Sequence, residues 1–268
     1  MTKTLLENID NIPPLPESVQ EVERVYNNPD STLDDMQKAI EKDPILTANI
    51  LRLVNSPAYG LKHQITDLKQ AVSLLGKDTI RTFALGSVTN DFEINLSPYG
   101  MSKEQFATAC DKQLSLVVNW LRRTEGQKLA LLAPAAFLVD LGRVVISKTL
   151  LDDDKADIIE KALLAGEDIS NAERTACGAQ TTDVTATLFH RWNLDPDIVH
   201  IIRYSDDPEG ASLPEEQRMA AELKAVRETV MPNGEITDES IATAKDTIEE
   251  FGLDMASYEK ALEKVMDA

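Results

Sequence analysis

Few residues in this chain have side chains suited to covalent or metal chemistry, and those few are scattered. The three histidines do not cluster: His63 falls in a predicted loop, His190 and His200 fall on separate predicted helices, and none is followed by Asp. Each reads as a surface or capped histidine, because a bound ion needs several donors converging on one point. Cys110 and Cys177 have neither redox nor metal-ligand spacing and read as buried or incidental thiols of a reducing compartment. The carboxylates of Asp152, Asp153 and Asp154 could attract Ca²⁺ or Mg²⁺. Adjacent side chains point in different directions around a helix start, so the triplet reads as an N-cap cluster. The glycines form no phosphate loop or dinucleotide fingerprint, and no Ser-His-Asp or Cys-His grouping can be assembled.

A second group of interest lies in a turn. Asn55, Ser56, Tyr59 and Gly60 follow a strongly apolar segment at a loop bracketed by Pro57 and Gly60. Their amide, hydroxyl and phenol groups suit capping the preceding helix and fixing the loop, and a loop so shaped is a surface that a partner can recognise.

The elements that position these residues read as helices throughout. Apolar residues Val19, Val22, Val25 and Tyr26 share one face of a segment that stops before Pro29, and Ser31 or Thr32 then caps a helix with Leu33, Met36 and Ile40. Asp43 followed by Pro44 opens a third helix to Asn55, whose sparse polar surface predicts a central position. A short helix from Asp67 closes at Gly76 in a left-handed cap, and Asp78 starts another. Asn95 to Gly100, with Ser97-Pro-Tyr-Gly100, reads as a boundary or linker, after which Ser102 and Gln105 form a capping box for a long helix to about Arg123. Further helices follow, the last three separated by Pro232-Asn-Gly234 and by Gly252. With no strand alternation and no internal repeat, the fold class is all-α and multi-helical, with an N-terminal helical bundle over residues 1–95 and a larger helical domain over residues 96–268.

Charge is unevenly divided. Residues 1–150 hold 16 Lys and Arg against 18 Asp and Glu, whereas residues 151–268 hold 11 against 28, so nearly all of the net charge of −19 belongs to the second part. A phosphate backbone is repelled by such a surface, and no basic stripe compensates, which argues against nucleic acid as a partner. The longest apolar run, Leu129 to Val139, contains Pro134 and falls short of the roughly 20 residues that a membrane-spanning helix needs. No apolar signal core opens the chain, so the expectation is a cytoplasmic protein.

Ordered motifs over residues 12–90 resemble the HDOD domain, the HD-related output domain of bacterial signalling proteins. They are Ile12-Pro-Pro-Leu-Pro16, Asp43-Pro-Ile-Leu-Thr47, Leu51-Arg-Leu-Val-Asn-Ser56 with Tyr59-Gly60, and Ala71-Val-Ser-Leu-Leu-Gly76. The resemblance continues to about residue 210 through Phe137-Leu-Val-Asp140-Leu-Gly142-Arg143, Glu173, Gly178 and Trp192-Asn-Leu194. The parent HD hydrolases hold one or two metal ions with imidazoles and carboxylates, which lower the pKa of a bound water. Here the His-Asp pair position is Val139-Asp140, a later position often filled by His is Thr181, and a paired-histidine position is Ser205-Asp206. Asp140 alone reads as a cap where the helix breaks at Gly142. The resemblance therefore implies a degenerate HD domain: a regulatory signalling protein without cofactor or catalysis, binding other signalling proteins, neither nucleic acid nor membrane. The alternative from another class is a metal-dependent HD-type phosphohydrolase acting on a nucleotide or cyclic dinucleotide through a rearranged site.

Overall fold

A computed structural model describes residues 1–56, 61, 63–121 and 126–267. Regular structure among the described residues is helical, and the only strand-like feature is an isolated bridge between Leu96 and Met101. The chain divides into two compact units, one of residues 14–92 and the other of residues 1–13 with 93–268.

Within residues 14–92, local capping sets where each helix begins. Helix α2 (Glu17–Tyr26) leads to α3 (Leu33–Glu41), where Thr32 and Asp35 form a reciprocal capping box. Helix α4 (Pro44–Val54) starts where the Asp43 carboxylate accepts from the amides of Ile45 and Leu46. Helix α5 (Leu68–Ser87) is broken at Gly76, whose φ of 76° and ψ of 167° lie in a region essentially reserved for glycine. The expected positive φ is present, but the chain resumes helix at once instead of ending in a left-handed cap. The Arg81 guanidinium is buried in this unit, holding Glu23 through two bonds of 2.7 and 3.0 Å and lying 4.3 Å over the Tyr26 ring. Helix α4 is less central than its composition suggests. Leu46, Ile50 and Val54 are buried, while Ile45 is 75% exposed, and Ile45, Ala48 and Arg52 share an outer face.

The larger unit begins with α1 (Lys3–Asp10), a helix too short to show clear periodicity in the sequence. It is held by the aspartate triplet, which the structure places at the end of α8 (Leu141–Asp152) and not at a helix start. Asp153 accepts from Thr4 Oγ1 at 2.7 Å and Asp152 from Asn8 Nδ2 at 3.0 Å, so these carboxylates anchor α1 instead of capping a following helix. Helix α6 (Lys103–Leu121) opens with the Ser102–Gln105 box and packs on α7 (Gly126–Leu138). The chain continues through α9 (Ala156–Ala165), α10 (Ile169–Cys177), α11 (Thr181–Arg191) and α12 (Pro196–Arg203) to α13 (Pro214–Thr229), α14 (Asp238–Glu250) and α15 (Met255–Met266). α8 packs on α11, α15 on α6, and α14 on α13.

The apolar run of α7 joins α8 through a very short turn. The stretch Lys128–Asp152 is therefore long and apolar enough to cross a membrane by length and composition, which the run read from sequence was not. Yet 78% of its most apolar window is buried inside the fold, as expected of core helices.

Candidate functional site

The turn between α7 and α8 is the chemical centre of the larger unit. Leu138 ends one helix and Leu141 begins the next, so the break falls at Val139-Asp140 and not at Gly142. Asp140 is the N-cap residue of α8 but its side chain caps nothing; it is drawn into a buried ionic cluster. One of its oxygens accepts from Gln113 Nε2 of α6 at 3.0 Å. The other lies 3.3 Å from Arg143 Nη2, one turn along α8, and 3.3 Å from Arg227 Nη2 of α13.

Arg227 also reaches Asp206, three residues past the end of α12. Its Nη1 pairs with Asp206 Oδ1, and the second Asp206 oxygen accepts from Thr182 Oγ1 at 2.6 Å. A guanidinium thus bridges two carboxylates that lie 66 positions apart in the chain. On its other flank, Arg143 lies 3.6 Å from Glu173 Oε1 and 4.9 Å over the Tyr99 ring. Glu173 accepts from the Tyr99 hydroxyl at 2.8 Å, the Thr181 hydroxyl at 2.7 Å and the Thr181 amide at 2.6 Å.

These pairings set the protonation states. Burial by itself would raise the Asp140 carboxyl, but the guanidiniums of Arg227 and Arg143 and the Gln113 amide outweigh it and hold it at about 2. Asp206 is likewise lowered, burial being outweighed by Arg227 and the Thr182 hydroxyl. Burial acts against the charged form of Arg227, yet Asp206 and Asp140 raise it on balance. Tyr99 is pushed well up, by burial and then by the charge of Glu173. Asp140, Asp206, Arg227 and Tyr99 are thus each held in one charge state at neutral pH.

A hydrolytic metal ion does not fit this donor set. Val139 is fully buried and apolar, the Thr181 hydroxyl is committed to Glu173, and the Ser205 hydroxyl donates to the Ile202 carbonyl. Asp140 and Asp206 already share an internal cation. His190 and His200 are exposed on α11 and α12, with His200 Nδ1 3.7 Å from Glu216, and His63 is exposed in the loop before α5. Among the described residues no group of three or more His, Cys, Asp or Glu could hold a metal ion.

The turn after α4 is held by a side chain. Asn55 Nδ2 donates to the carbonyls of Leu51 and Ile65, both at 2.7 Å, while its Oδ1 accepts from the Ile65 amide at 2.8 Å. Asn55 thus ties the helix end to the far side of the loop, and half-buried Ser56 donates its amide to the Leu53 carbonyl. Tyr59 and Gly60 lie outside the described residues. Replacing Asn55 by Ala is expected to lower stability by about 1–2 kcal/mol, since three half-buried hydrogen bonds go with one side chain. The urea midpoint checks this, and an unchanged midpoint would show that the loop is held by other contacts.

Sequence reasoning reached Val139, Asp140, Thr181 and Asp206, which the structure gathers around one cluster. It misses Gln113 and Arg227, because one Gln among the polar residues of α6 and one of three basic residues on α13 look like ordinary solvated residues.

Comparisons with known proteins agree with this architecture. The sequence profile of the HDOD domain matches residues 12–208. An uncharacterised protein of Treponema pallidum (strain Nichols) is 34% identical over 76 residues, which is 28% of this chain and 15% of that protein, so the chain spans only a small part of this curated relative. The crystal structure of a virulence factor from Campylobacter jejuni subsp. jejuni is similar over 99% of this chain and 98% of its own, with a TM-score of 0.61 and 25% identity. An HDOD domain protein of unknown function from Geobacter sulfurreducens shares the fold with a TM-score of 0.71 and 19% identity, over 98% of this chain and 93% of its own.

Proposed function

The chain belongs to the HDOD domain family, and from that premise we propose that it is a non-catalytic regulatory protein of bacterial signal transduction that acts by binding other signalling proteins. The observation that carries this reading is the Arg227 guanidinium bridging Asp140 and Asp206, at positions where the HD hydrolases carry metal ligands. A guanidinium cannot ionise a water or accept an oxygen ligand, so it supports the position of the two carboxylates without supplying a nucleophile.

The contact surface in this proposal is the outer face of α4, where Ile45, Ala48 and Arg52 lead to the Asn55-Ser56 turn. An exposed apolar residue on a regular helix whose far end is fixed by Asn55 belongs to a surface that binds without much ordering cost. The partner in this reading is a cytoplasmic protein and not nucleic acid, in keeping with the acidity of residues 151–268.

Two measurements on the full chain test the reading. Phosphodiesterase and nucleotidase assays with added Mn²⁺ are expected to stay at background, and protein captured from the native host is expected to be lost with Ile45→Asp while the thermal midpoint stays unchanged. Turnover that Asp140→Ala abolishes, together with about one Fe, Mn or Zn per chain, would establish the hydrolase instead. Capture that survives Ile45→Asp would remove α4 as the surface.

A further inference from the structure

Arg227 stands on α13, beyond residue 208 where the family match ends, yet its guanidinium reaches the α7–α8 turn and the residues after α12. The cluster it enters holds the carboxylates of Asp140, Glu173 and Asp206 and the guanidiniums of Arg143 and Arg227. Without Arg227, the cluster would hold three carboxylates and the single guanidinium of Arg143, which lies beside Asp140 and Glu173, a shortfall of two positive charges in a largely buried place. Asp140 and Asp206 would be left pointing at the same vacated position. Each carboxylate has a polar neighbour of its own: the Thr182 hydroxyl is 2.6 Å from Asp206, and Gln113, itself 1% exposed, bonds Asp140 through its amide nitrogen while its buried Oε1 has no hydrogen-bond partner. Carboxylate, hydroxyl and amide oxygens are what Mg²⁺, Ca²⁺ and Mn²⁺ take as ligands.

We propose that Arg227 is a built-in replacement for a divalent cation: its guanidinium bridges Asp140 and Asp206 in the protein as it stands, and the same two carboxylates form a site for a hard divalent ion once that guanidinium is withdrawn. The inference rests on the non-catalytic reading above and adds to it that α13 supplies the cation that keeps metal out. It explains why two acidic side chains from distant turns stay ionised side by side, since a shared positive charge offsets both their repulsion and their burial. It also gives α13 a specific tie to the family domain that its generic helical sequence does not reveal.

The test uses the full chain, with Mn²⁺ as the probe and the thermal unfolding midpoint as the readout. Arg227→Ala is expected to rise by about 3 °C when Mn²⁺ is present at roughly ten times its dissociation constant. Wild-type protein and Arg227→Lys, which keeps a positive charge in place, are expected to move by less than about 1 °C. The double variant Arg227→Ala with Asp206→Asn is expected not to respond, because one of the two carboxylates has lost its charge. An Arg227→Ala midpoint indifferent to millimolar Mn²⁺, or an equal rise in wild type or in the double variant, overturns the proposal. Should Arg227→Ala fail to fold alone, it is refolded with and without Mn²⁺. A cooperative transition regained only with the ion supports the proposal, and none in either condition overturns it. Turnover by the wild-type protein bears only on the non-catalytic reading, so the two can fail separately.

Discussion

Replacing Asp140 by Ala is expected to lower the unfolding free energy by about 3–5 kcal/mol, the range found when one partner of a buried ion pair is removed. Asp140 is 3% exposed, accepts from Gln113 and balances two guanidiniums, so its loss strands Arg143 and Arg227 with fewer acceptors than their burial requires. The effect carries a pH signature. The folded carboxyl, held at about 2, lies below its ordinary value of 3.8, so Asp140 contributes stability that is fully present above the unfolded value and is lost as pH falls through the folded one. At neutral pH this contribution is about 2 kcal/mol, and the gap between wild type and variant should narrow by about 1 kcal/mol between pH 7 and pH 3. Urea unfolding of both proteins across that range measures it. A gap under about 1 kcal/mol at pH 7, or one that stays constant with pH, would show that the cluster is not an ion-paired unit.

Gly142→Ala is expected to destabilise by about 3 kcal/mol or more, at the upper end of what overpacking a core does. A Cβ on Gly142 would sit 2.2 Å from the Thr181 carbonyl oxygen and 2.8 Å from both the Thr185 amide nitrogen and Oγ1. Two of those atoms are backbone and cannot rotate away, so α8 and α11 would have to part. They are also stitched together here, since the Gly142 amide donates to Thr185 Oγ1 at 2.8 Å and that hydroxyl lies 2.7 Å from the Val139 carbonyl. Thr185→Ala in the same chain is expected not to rescue the variant, because the Thr181 carbonyl remains in the way. A Gly142→Ala midpoint equal to wild type would show that the helices stand further apart in solution than in this structure.

The helical class, the capped starts of α3, α4 and α6 and the family were all legible in the sequence. The cues that carry them are local: Thr32 with Asp35, Asp43 before Pro44, and Ser102 with Gln105 each act within three or four residues, through side chains that satisfy free amides at a helix start. For Asp152, Asp153 and Asp154 the same local logic points to a helix start, whereas they lie at the end of α8. The partners that decide their role, Thr4 and Asn8, lie more than 140 residues away and belong to a helix of only 8 residues. Asp140 likewise looks like a cap in the sequence, because no local pattern announces a guanidinium arriving from position 227.

By itself, then, the sequence determined the helical class and where several of the helices start, and it scatters its three histidines, but it did not announce α1. Only the tertiary structure decided which side chains Asp140 and Asp206 meet. A helix cap is a contact between near neighbours and leaves its mark in adjacent residue types. The bridge from Arg227 to Asp140 and Asp206 spans 87 and 21 positions, and exists only because α13 packs where its guanidinium can lie between two acidic turns. An arginine that neutralises buried carboxylates and one that sits in water are the same letter; burial, set by the packing of distant helices, makes the first a structural cation and leaves the second a surface charge.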